Sequence, residues 1–280
     1  MGTGAVHADA QGGLSLRVKV VYGVLIANAL PAFVLLTFAS GHTADLFVWT
    51  VKPPASAQML GVMYADALVL IGLGLAQPSW PRARVTVLLI AVFSVSATIV
   101  TLFNLHPFLK HPWTHLTYWL SMYVILVFVA PLTFLLEERE HGGRQPVRQP
   151  LGAMARAVGA VGVLGLGALG VVLLVDPATV NHVWPWALTP LVGRLLGVWF
   201  VSLAAAYAWA LRDGDWLRAR PIFIQALPAG VLALLVPVVH GDEMRSGGAH
   251  LVGYVALVAF FVGGGLLATL AGQRGVRGAA

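Results

Sequence analysis

The feature that most constrains this chain is a repeated one: long apolar runs, each about the length that a membrane helix requires. A hydrocarbon layer about 30 Å thick is crossed by a helix of about 20 residues. Eight runs near that length stand in the 280-residue chain, at 18–39, 57–77, 84–105, 113–136, 151–175, 191–211, 221–239 and 249–271. They are continuously apolar instead of alternating, which favours helices over barrel strands. Polar residues and prolines intrude mainly in the third run (Ser94, Ser96) and the seventh (Gln225, Pro228, Pro237). Pro31 and Pro131 lie inside the first and fourth runs, where they are expected to kink the helices.

The composition agrees. Hydrophobic residues make up 59% of the chain and charged residues 10%, against about a quarter charged in a soluble domain. So little polar surface excludes a soluble enzyme or a disordered chain. The absence of cysteine excludes disulfides, thiolate metal sites and cysteine nucleophiles. The expected fold is an all-α integral membrane protein of eight transmembrane helices. The first 16 residues combine no charged, apolar and cleavage regions, so no removable signal peptide is expected.

Lysine and arginine set the orientation, because loops rich in them stay in the cytoplasm. Thirteen lie on the side of the N-terminus, including Arg82, Arg84, Arg139, Arg144, Arg148, Arg212, Arg218 and Arg220; the other side has four, Lys52, Lys110, Arg194 and Arg245. Both termini are therefore expected in the cytoplasm, with the protein in the plasma (inner) membrane. The net charge of +6 reads as a topology signal plus affinity for anionic lipid heads. No basic stripe with interleaved aromatics points to nucleic acid.

The chain also matches itself at a shift of 136. Leu60-Gly61-Val62 matches Leu196-Gly197-Val198, and Trp80, Arg82, Ala83 and Arg84 match Trp216, Arg218, Ala219 and Arg220. At a shift of 135, Val48-Trp49 matches Val183-Trp184, and His115-Leu116 matches His250-Leu251. Such a period is the mark of an internal repeat. Each half, 1–148 and 149–280, then holds four spans and returns the chain to its starting side. The two halves are therefore expected to be parallel, related by an axis along the membrane normal. The Trp-Arg motifs themselves read most simply as interface anchors.

Candidate functional residues fall into two groups. Asp66, beside Tyr64, lies near the middle of the second span. A lone aspartate there costs about 2.5–3.5 kcal/mol unless it is protonated or paired. Arg194, at the outer start of the sixth span, is its expected partner. In the second half the position equivalent to Asp66 is Ser202. The external loops form the other group. Asn104, His106, Asp242 and Glu243 could line a ligand site, and His111, His115, His240 and His250 could hold a divalent metal or a haem. His111 and His115 are four apart, on one face of a helix beginning near Pro112.

A four-plus-four arrangement with histidines near helix ends resembles, in architecture, the haem A synthase family. That family carries histidines on the second and fourth spans of each half. Here 57–77 and 191–211 contain none, so the form of haem site left open is one held between the halves by His115 and His250. The principal expectation is a protein that binds or transports a small solute, lipid or quinone through a cavity facing the extracytoplasmic side. Redox chemistry at the external histidines, or an accessory role beside a partner subunit or second copy, are the alternatives. The glycine-rich runs in the fifth and eighth spans read as close helix packing.

Overall fold

The computed structural model describes residues 13–110, 113–143, 145–245 and 247–277. Among these residues the chain is all-helical; the one strand-like feature is an isolated bridge between Pro150 and Asp215. Eight helices are long and apolar enough to cross a membrane: α1 (Leu16–Phe38), α2 (Pro54–Leu75), α3 (Trp80–Phe103), α4 (Thr117–His141), α5 (Ala153–Val175), α6 (Pro190–Asp213), α7 (Trp216–Val239) and α8 (His250–Gln273). Large apolar side chains such as Phe103, Leu164 and Val238 remain exposed, as lipid-facing residues would be.

The number and order of the spans agree with the expectation; several ends do not. Helix α3 starts at Trp80 rather than 84, because Pro81 suits a first turn. Helix α7 starts at Trp216 rather than 221, because the Asp215 carboxylate accepts the Arg218 N–H at 3.3 Å and caps it. Helix α4 runs on past 136 to His141; Ser15 donates to Glu137 at 2.5 Å and Trp80 to Glu138 at 3.1 Å, so side-chain bonds hold its last turns.

Three spans depart from a regular helix. In α7 the helix breaks after Ile224 and resumes at Ala226. Pro228 explains the break: it has no N–H for the Ile224 carbonyl, and its ring crowds that group. The buried Gln225 fills the gap, its Nε2 donating to the Ile222 carbonyl at 3.1 Å. Helices α5 and α8 carry π-helical turns at Gly162–Leu166 and Phe260–Gly264.

The packing forms two groups of four. Helices α1 and α2, α3 and α4, and α1 and α4 pack together in the first; α5 and α6, α7 and α8, and α5 and α8 in the second. The groups meet where α3 lies on α6 and α2 lies on α7. Close approach at α5–α6 requires two facing glycines: a Cβ on Gly170 would sit 2.9 Å from the Gly197 carbonyl oxygen, and one on Gly197 would sit 2.8 Å from that of Gly170. Gly61, at the matching place in α2, lies against Thr37 of α1.

The segment joining the groups is pinned. Asp215 Oδ2 accepts the N–H groups of Arg148 at 2.7 Å and Gln149 at 3.0 Å. The Leu151 N–H donates to the Gly214 carbonyl at 2.8 Å, and the Trp216 N–H to that of Gln149 at 2.7 Å. Gly214 ends α6 at φ +68, a left-handed conformation that glycine adopts freely.

Contacts at the group boundary recur at the sequence shift. Arg84 meets Asp213 at 2.7 Å; 136 residues away along both partners, Arg220 donates to Gln77 at 3.3 Å. On the opposite side, Trp49 packs edge-on to Trp119 at 5.0 Å and Trp184 packs edge-on to Tyr254 at 5.8 Å. These pairs are related by 135 residues.

Candidate functional site

Asp66 sits on α2 among apolar residues and is only 3% exposed. Its Oδ2 accepts the indole N–H of Trp199, on α6, at 3.0 Å. Its Oδ1 is buried with no partner among the described residues. Trp199 is itself held flat: its ring stacks on Phe261 at 5.7 Å with 8° between planes, and on Phe200 at 5.2 Å. Phe261 belongs to the π-helical turn of α8, so that irregular turn supports the ring that holds the carboxylate.

A cavity with about 40 Å³ of accessible volume lies beside Asp66, room for a few water molecules. Leu25 and Asn28 of α1, Met63, Tyr64 and Leu70 of α2, Phe93 and Ser94 of α3 and Leu126 of α4 line it, with Trp199 closing one wall. Its walls are apolar apart from a few groups. Ser94 donates to the Ile90 carbonyl at 2.7 Å, leaving its oxygen able to accept. Asn28 is buried beside the cavity. A second cavity of about 160 Å³ shares Asn28 and runs toward Pro31, Leu35, Phe47 and Tyr118, between α1 and α4. Asn28 thus stands where the two spaces meet.

Arg194 is not the partner of Asp66. It donates to Asn104 Oδ1 at 2.8 Å and to the Leu174 carbonyl at 3.4 Å, tying the start of α6 to the ends of α3 and α5. Depth explains the correction. At a rise of 1.5 Å per residue, Arg194 lies about 6 Å along α6 and Asp66 about 18 Å along α2, each counted from the same side.

The external candidates do not line the Asp66 cavity. His106 and Asp242 are exposed. Glu243 is a clamp: Oε2 accepts the Ala55 N–H at 2.8 Å, in the first turn of α2, and Oε1 faces His240 Nδ1 at 3.1 Å. His240 Nε2 and His250 Nδ1 are buried without partners among the described residues. His111 lies outside the described residues, as does the side chain of His115. Among the described residues, metal-ligand atoms gather at Glu137, Glu140 and His141, on the other side of the molecule, and not at His240, Asp242, Glu243 and His250. There Glu137 already accepts from Ser15, and Glu140 pairs with Arg17 at 2.9 Å.

Sequence reasoning found Asp66 and missed Asn28, Ser94 and Trp199 as its surroundings. Asn28 carried a usable signal, an amide in mid-run within Ala27-Asn28-Ala29-Leu30. Trp199 carried one too, since it sits at mid-span and not at an interface, where tryptophan is commonest.

No protein-family model matches the chain, and neither a curated protein nor a solved structure does. The fold and the cavity therefore define a class only: an all-helical protein with eight helices able to span a membrane.

Proposed function

We propose that this chain is a multi-pass protein of the plasma (inner) membrane that binds or transports a small amphipathic molecule, such as a quinone or a lipid, beside Asp66. The observation that carries this reading is the half-satisfied carboxylate: one oxygen is fixed by Trp199 and the other is buried unpartnered, beside an apolar cavity. A buried polar group without a partner costs about 1–3 kcal/mol, and an ionisable residue within a membrane span is by default a candidate for function. A ligand head that donates a hydrogen bond would meet Oδ1, and the Asn28 amide can both donate and accept. The small space beside Asp66 suits a head only. The larger space beyond Asn28 suits an apolar body lying between α1 and α4.

The same proposal includes two parallel four-helix repeats, 1–148 and 149–280, with cytoplasmic termini. The repeat rests on the sequence matches and on the paired contacts at the same shift: Arg84–Asp213 with Arg220–Gln77, Trp49–Trp119 with Trp184–Tyr254, and Gly61 with Gly197. The orientation rests on the thirteen-to-four division of basic residues.

Organic extraction of the detergent-purified protein, followed by mass spectrometry, tests the binding reading. An apolar species is expected at near one equivalent with the wild type, depleted about tenfold in Asp66→Leu and Asn28→Leu. Equal extracts from all three would overturn it. For the orientation, single cysteines at Ser40 and Ser79 would be treated with an impermeant maleimide on intact cells. Labelling at 40 alone is expected; labelling at 79 would reverse the topology.

A further inference from the structure

On the side bearing the basic loops, where the two groups of helices meet, lies a third cavity, of about 640 Å³. That is within the range of small-molecule sites. Arg84 at the start of α3, Glu138 at the end of α4, Arg156 at the start of α5, and Trp209, Arg212 and Asp213 at the end of α6 line it. Gly143, Gln145, Val147 and Pro150 of the linker form another wall.

The carboxylates here are already engaged. Asp213 meets Arg84 at 2.7 Å and Arg218 at 2.9 Å, while Glu138 takes the Trp80 N–H at 3.1 Å and Arg84 at 3.2 Å. Arg156 is exposed and meets no carboxylate among the described residues. Arg212 lies over the Trp209 ring at 5.4 Å, with Arg84 at the same distance from that ring. The ring therefore contacts two guanidinium groups while supplying neither with a carboxylate partner. Among the described residues, two donors of these side chains, Arg84 Nε and Trp209 Nε1, are buried without an acceptor. Buried donors are almost always paired. The lining has three arginines against two carboxylates, one net positive charge.

From this surplus of donors and charge we infer that the cavity binds a singly charged phosphate group, either the head of an anionic phospholipid or free inorganic phosphate. The guanidinium fork matches phosphate oxygens in pairs. Glu138 and Asp213 keep the net charge low, which disfavours a polyanion. The cavity opens at the depth where phospholipid heads stand if the basic loops are cytoplasmic, and it touches both halves, so its occupant would brace the seam between them.

Thermal unfolding of the full chain in a neutral detergent tests this, since a ligand that binds the native state raises Tm. The probes are dihexanoyl phosphatidylglycerol, inorganic phosphate, and dihexanoyl phosphatidylcholine as the lipid of no net charge. A rise with phosphatidylglycerol alone assigns a lipid head; a rise with phosphate as well assigns the bare anion. Arg156→Gln with Arg212→Gln is expected to require about tenfold more ligand for the same rise. Arg156→Gln alone, at an exposed side chain without a partner, keeps the unliganded Tm and gives the same direction of change. No rise with either anion, an equal rise with phosphatidylcholine, or an unchanged dose response in the variants would overturn the inference. Asp66→Leu should leave the response intact.

Discussion

The proposed duplication pairs Asp66 with Ser202, and the two halves handle that position in opposite ways. In the first, Asp66 reaches out of its own helix to Trp199 and keeps one oxygen unpartnered beside a cavity. In the second, the equivalent Ser202 is fully buried and donates to the Val198 carbonyl of its own helix at 2.7 Å. Such a bond is local and complete. Around it the second half is closed by glycine contacts and stacked rings, Gly170 on Gly197 and Trp199 on Phe261. On the proposed duplication, one copy keeps a polar opening and the other supplies the wall that holds it. A common scaffold does not oblige both copies to carry the same chemistry.

The comparison can be broken first at the seam, where the expected effect is largest. Arg84 lies between Glu138 and Asp213 and is 5% exposed. Arg84→Met should cost about 3 kcal/mol, the scale of a buried pair broken on one side. At the shifted position, Arg220 meets the neutral Gln77 and no carboxylate among the described residues, and Arg220→Met should cost about 1 kcal/mol. Urea unfolding of the two variants in mixed micelles decides the point; equal losses would remove the asymmetry.

Next comes the glycine contact. Gly170→Val places a branched side chain on the Gly197 backbone, and overpacking of that kind costs about 1–3 kcal/mol. At about 2–4 °C per kcal/mol for a chain of this size, Tm should fall by several degrees. A Tm at the wild-type value would mean that α5 and α6 do not approach so closely.

Asp66 gives a smaller change. Asp66→Leu removes the unpartnered oxygen but leaves the buried Trp199 N–H without an acceptor, so two terms of about 1–3 kcal/mol each offset and Tm should change little, while extractable ligand is lost. Ser202→Ala should move neither reading by much, because it deletes one local bond of about 0.5–1.5 kcal/mol. A destabilised Asp66→Leu would assign the aspartate to structure instead of binding.

The smallest effect lies in the loop after α5. The Thr179 hydroxyl, with the Ala178 N–H, holds the exposed Asp176 carboxyl below the usual carboxylate range. A depressed acid stabilises above its unfolded pKa and loses that contribution as pH falls. The Tm difference between wild type and Asp176→Asn should therefore be present near neutrality and close on acidification through the carboxylate range; a difference that widened instead would refute the assignment.

The sequence made the spans legible because bilayer thickness leaves a helix little choice of length. It also exposed Asp66, a single acid within an apolar run. It did not reveal Trp199 as the partner, 133 residues away, because nothing local records which helices become neighbours. The Arg194 assignment failed on depth, which the rise per residue already contained. The π-helical turns were illegible for a different reason: glycines at 162 and 165, or 263 and 264, permit such a turn without requiring it. The external histidines were visible as composition. The sequence offered Glu243 as a ligand-site residue and did not reveal that its carboxylate takes up both His240 and the first turn of α2.

The linker bonds bear on how the chain is made. Asp215 is synthesised 67 residues after Arg148 and 66 after Gln149, yet its carboxylate receives both of their N–H groups. The linker cannot take its final path until α6 has crossed the membrane and turned back. The first four helices are thus synthesised before the residue that ties down the linker after them. Asp215 supplies that tie, so the path of the linker depends on α6 being in place.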